Sequence, residues 1–174
     1  MNVRALFGLS AAMGVTIAAL IAWLYVWPRL RTWPRQEALA LLAVPHAFRF
    51  VGLSFLVSGV VSPALPRAFA VPAAYGDLMT ALLAIGAIVA LSKRWWWGIP
   101  LVGIMNVVGA ADLAYATYQG NAVDLDAGAL GAAFFIPTAL VPVLLLAHVL
   151  SFRLLLARRA ARQSRSTRFD AVAP

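Results

Sequence analysis

Apolar positions run along this chain in five long blocks, each broken from the next by prolines, arginines or carboxylates. The first block, Ala5 to Trp27, holds about 23 residues, and at about 1.5 Å per residue it exceeds the roughly 30 Å hydrocarbon core of a bilayer. Arg29, Arg31 and Arg35 follow, with Trp33 and two prolines among them. A second block runs to Val61 through Pro45, His46 and Arg49, and a proline-punctuated stretch from Ser62 to Pro72 ends it. Lys93, Arg94 and a run of three tryptophans separate the third block from the fourth, and Gln119 to Asp126 forms an acidic turn before the fifth. The pattern predicts helices over about 5–27, 36–61, 74–91, 99–118 and 127–152. Pro137 and Pro142 should loosen the last one, since each removes a hydrogen-bond donor.

Such blocks lack the in-out alternation of a membrane barrel, and backbone in hydrocarbon must satisfy its own polar groups. The expected fold is therefore all-α, a polytopic transmembrane bundle of about five helices. Residues 1–156 form a single domain and 157–174 a basic tail. A secretory leader does not account for the first block, which is too long and ends in Trp23, Tyr25, Trp27 and Pro28 rather than small residues. With 63% hydrophobic and 11% charged residues in 174, the composition lies far outside the soluble norm. There is no cysteine, which excludes disulfides, iron–sulfur clusters and thiolate metal sites.

The formal charge of +8 would suggest nucleic acid if it lay on a soluble face. Instead, eleven of the fourteen Lys and Arg lie in the first connection, the third connection and the tail. These regions share one side of a five-helix bundle, so the positive-inside rule predicts the N-terminus outside and the C-terminus in the cytoplasm, in the inner (cytoplasmic) membrane. No nucleic-acid partner is expected. Arg158, Arg159, Arg162, Arg165 and Arg168 form a cationic row suited to anionic lipid.

Ionisable residues inside a span are costly, so they point inward and need partners. Counted from Ala38, Arg49 lies about 16 Å into the core, and Asp112, counted from Ile99, lies about 20 Å deep on a helix of the same direction. An Arg49–Asp112 ion pair is expected. Tyr115 is one turn from Asp112 and can share its face, whereas Asn106 points elsewhere and should bond another neighbour. Asp77 near the start of the third helix either caps that helix or turns inward. Turned inward, it would join Arg49, Asp112 and Tyr115 in one ligand-binding pocket. His46 shares the Arg49 face, with Leu53, Leu56 and Val60 continuing the stripe, and Gly52 and Gly59 let another helix approach. His46 and His148 can reach matched depths, which admits a haem b between them as an alternative. No metal site is expected, because zinc needs at least three protein ligands.

The stretch Arg49, Gly52, Phe55, Leu56 and Gly59, followed by a proline-rich loop and another apolar run, resembles the opening helix of the DoxX-like family of small bacterial membrane proteins. The resemblance covers the second to fifth helices, about 110 residues, and implies a four-helix core, in some members associated with quinone-linked oxidoreductases. It transfers no catalytic residue. No complete nucleophile, metal or nucleotide signature is present. The expectation is a non-enzymatic accessory subunit, or a binder of a lipid-like or quinone-like ligand, with protein partners or a second copy of itself. The alternative is a redox subunit holding haem b or meeting quinone.

Overall fold

The computed structural model describes residues 2–170, with side chains up to Ala157. Five helices are long and apolar enough to cross a membrane: α1 (Val3–Leu30), α2 (Arg35–Leu56), α3 (Arg67–Ser92), α4 (Gly98–Ala122) and a fifth span, Ile136–Ala157. The regular helix α5 (Val141–Asp170) begins within that fifth span and continues past its end. Among the described residues no strand forms. The tail arginines from Arg158 to Arg168 have side chains outside the described residues, although their backbone continues α5.

Two of the prolines leave a local signature. Pro28 in α1 is preceded by a π turn over Ala22–Val26, and the turn before Pro142 is π over Ile136–Leu140. In both places a carbonyl four residues upstream has lost its donor, and the wider turn absorbs the gap. Thr138 O is the carbonyl that Pro142 strands, and α1 passes so close that a methyl group at Gly14 would strike it. Only glycine allows that crossing.

Two predicted boundaries move for related reasons. The third helix begins at Arg67, not 74, with Pro72 inside it. Reading Pro72 as a breaker fails because the carbonyl it abandons, Ala68 O, accepts a bond from Gln119 Nε2 of α4 at 3.2 Å. The second helix ends at Leu56, short of 61, because Gly59 turns the chain at a φ of +87°. The fifth run is not one helix from 127. A 3-10 segment over Ala127–Phe134 comes first, broken by Gly131 at φ 54° and ψ −130°, where a side chain would strike Val60 O.

Around the bundle, α3 packs along both α2 and α4, while α2 also meets α5. Most of the buried positions of α3 are alanine: Ala70, Ala73, Ala74, Ala81, Ala84, Ala87 and Ala90. Short side chains bring backbones together where apolar surface alone supplies little force between helices. By contrast α1 lies at the periphery, against α5 and the segment before it, and buries little of its surface. Its connection and the α5 end are clasped by Arg153 stacked 4.2 Å over the Trp27 ring, and by Arg35 donating to Leu155 O at 3.0 Å. At the opposite end, Ser62 N donates to Ala129 O and Ala132 N to Val60 O, tying the connection after α2 to the 3-10 segment. Arg4 and Asp124 form an exposed ion pair of 2.9 Å there.

Candidate functional site

The lower part of α2 changes helix type. Regular α-helix holds over Arg35–Ala47, and a 3-10 helix follows from Phe48 to Leu56. With about 3.0 residues per turn, residues three apart eclipse one another. Arg49, Gly52 and Phe55 therefore stand in one buried row facing α3, while His46, in the regular helix before them, is buried against His148 of α5. The stripe expected from 3.6 periodicity does not form, since Leu56 is exposed and Leu53 and Val60 are only partly covered.

Arg49 is fully buried. Its Nε donates to Asp77 Oδ1 at 2.6 Å, its Nη1 to Gly109 O at 3.0 Å, and its Nη2 to Asp112 Oδ2. One guanidinium thus clamps a carboxylate from α3 and another from α4 while it rides on α2. Asp77 does not cap its helix, because α3 starts ten residues earlier and places it in the interior. Its inward alternative is the arrangement observed.

Three glycines make room for these groups. A methyl group at Gly52 would collide with the Asp77 carboxylate, and one at Gly76 with that of Asp112. At Gly109 it would meet Thr80 Cγ2 at 2.7 Å, His148 Cε1 at 2.8 Å and Arg49 Nη1 at 3.0 Å. Sequence reasoning overlooked Gly76 and Gly109. The signal was available, for Gly76 is adjacent to Asp77, and Gly109 is one turn before Asp112.

Beyond the carboxylates, a cavity of about 620 Å³ opens toward the Arg4 and Asp124 end. It lies between α4 and the lead-in to α5, with Arg4 and Phe7 of α1 across it. Phe55, Phe69, Ala116, Leu130 and Ile136 line its walls, and Asp77 and Asp112 stand at its floor. Arg49 lies behind them and contributes no lining. Tyr115 does not join this pocket. It is 48% exposed and stacks near Tyr118, with centroids 6.4 Å apart, on the outward face of α4.

On the other side of Arg49 the two histidines meet. The rings of His46 and His148 are 4.1 Å apart between centroids and inclined by 42°. A haem iron with two axial imidazoles holds them on opposite faces of a macrocycle, and these rings touch, so the pair does not fit a haem b. His148 Nδ1 bonds Asn106 Oδ1 at 2.7 Å, and Asn106 Nδ2 donates to His148 O at 3.2 Å. Asn106 thus serves a neighbour other than the acidic pair, as its helical angle predicts. Both ring nitrogens of His46, Nε2 of His148 and the Ser151 hydroxyl are buried without a hydrogen-bond partner. Among the described residues no group of three or more His, Cys, Asp or Glu is arranged to hold a metal ion.

The model of a family described as a domain of unknown function, DUF8737, matches residues 6–156, most of the chain, and the protein belongs to that family. No curated protein and no solved structure matches.

Proposed function

We propose that this DUF8737 member is a multi-pass protein of the cytoplasmic membrane that binds a lipid-like or quinone-like amphiphile, without catalysing a reaction on it. The supporting observation is the cavity of about 620 Å³, apolar along its walls and ending on the Asp77 and Asp112 carboxylates. That volume lies in the range of pockets that enclose a small ligand, and few convergent polar groups within apolar walls is the usual form of such a site. In the orientation favoured by the basic connections, the N-terminus lies outside and the tail in the cytoplasm. The cavity then opens toward the outer leaflet, within reach of lipid. Arg49 fixes where the two carboxylates stand, and the ligand meets the carboxylates rather than the arginine.

Native mass spectrometry of the full chain released from native membranes tests this. The wild type should carry one amphiphile, and Ala116→Trp, which fills the cavity from α4, should lose it while remaining folded. A ligand retained equally by Ala116→Trp places the binding elsewhere. A wild-type protein that takes up no amphiphile, even when membrane lipid extract is offered, removes the proposal. The absorbance spectrum of the extracted molecule distinguishes a quinone from other lipids.

A further inference from the structure

The charges around the cavity do not cancel. Two carboxylates, Asp77 and Asp112, share the single guanidinium of Arg49, so with both ionised the set holds one negative charge in excess. The other charged pair lining the cavity, Arg4 and Asp124, lies at the exposed mouth and neutralises itself. Both floor carboxylates are largely shielded, with side chains 11% and 13% exposed. An unbalanced charge is expensive in so apolar a place unless another cation joins it or one carboxyl takes up a proton. Arg49 has spent donors on Asp77, Gly109 and Asp112 and presents no surface to the cavity. At the floor, away from Arg4 at the mouth, an anionic head would therefore meet the two carboxylates and no cation.

Resting on the binding reading above, we infer that the ligand is a lipophilic monocation: an apolar body with one ammonium centre, seated between Asp77 and Asp112. Its charge makes the floor neutral. Its body lies along Phe55 and Phe69, whose rings meet edge to face at 5.5 Å, and aromatic faces attract a cation when water is excluded. The walls also include Phe7, Leu130 and Ile136, which match an alkyl or polycyclic body and offer no further ionic partner.

The test uses the full chain in nanodiscs of zwitterionic lipid, titrated with dodecyltrimethylammonium, with N,N-dimethyldodecylamine, with dodecanol and with dodecyl sulfate. Bound probe is read by native mass spectrometry. The two cationic probes should bind at least about tenfold more tightly than dodecanol, and dodecyl sulfate should not compete. Asp112→Asn leaves Asp77 and Arg49 balanced, so it should abolish the preference for cations while dodecanol still binds. Equal binding of cationic and neutral probes by the wild type, or a preference for the sulfate, overturns the inference and leaves the cavity a site for a neutral or anionic amphiphile. A cation preference that survives both Asp112→Asn and Asp77→Asn also overturns it, since the charge would then sit elsewhere. Failure of all probes and of membrane lipid to bind the wild type removes the underlying reading instead. The wild-type comparison needs no variant to fold.

Discussion

Arg49 carries its charge at a fully buried position, and nothing about an arginine side chain makes that favourable by itself. The position is tolerable because three of its donors end on oxygen, two of them on carboxylates. Removing the arginine from such a set leaves both carboxylates uncompensated, which costs about 3–5 kcal/mol, whereas removing the whole set costs far less. Arg49→Leu should therefore destabilise the protein strongly by leaving two carboxylates together. Adding Asp77→Asn and Asp112→Asn to that variant should restore part of the loss, read as the unfolding midpoint in mild detergent. A triple variant no more stable than Arg49→Leu would mean that the three side chains act independently. Half of this site is legible in the sequence, because an intramembrane arginine and an aspartate at similar depth need each other. Asp77 is ambiguous there for a physical reason. Pro72 reads as a helix start, and only the bond from Gln119 to Ala68 O shows why the helix passes through it.

At the level of helices, what the sequence conceals is a change of period. Hydrophobic spacing in α2 reads as 3.6 residues per turn, but from Phe48 to Leu56 the backbone is 3-10. Under a threefold repeat Arg49, Gly52 and Phe55 fall in one line, and each has a task there: the ion pairs, the close approach to Asp77, and the cavity wall. A nine-residue 3-10 run is long for that geometry and is held here by tertiary contacts, which local sequence does not encode. Gly52→Ala probes it. The added methyl presses on a carboxylate already fixed by Arg49, so overpacking should cost about 1–3 kcal/mol. Gly103→Ala on α4 meets nothing within 4 Å and gains helix propensity, so it should be neutral or slightly stabilising. Thermal unfolding of both variants in one detergent compares them directly. Equal melting temperatures would show that α2 and α3 are not held at the distance the ion pair requires.

For the molecule as a whole, the alternation of basic and non-basic connections is legible because it depends only on long apolar blocks and the position of charge. The contacts show the same alternation of ends. Arg4, Asp124 and the paired connections around Ser62 and Ala129 gather at one end of the bundle. Trp27, Arg35, Leu155 and Arg153 gather at the other. The first helix is the exception to legibility. Its apolarity announces a span, but nothing in its composition says that it lies at the edge and reaches the cavity through Arg4 and Phe7 alone. Because the chain has no cysteine, single-cysteine variants can be labelled against no background. Ala64→Cys, between α2 and α3, should react with a membrane-impermeant thiol reagent on intact cells or spheroplasts, whereas Thr32→Cys, between α1 and α2, should react only after the membrane is opened. The reverse pattern would turn the cavity mouth toward the cytoplasm, so that ligand would come from the inner leaflet. Labelling of both sites from the same side would deny that α2 crosses the bilayer, and Arg49 would then have no reason to seek carboxylates at mid-depth.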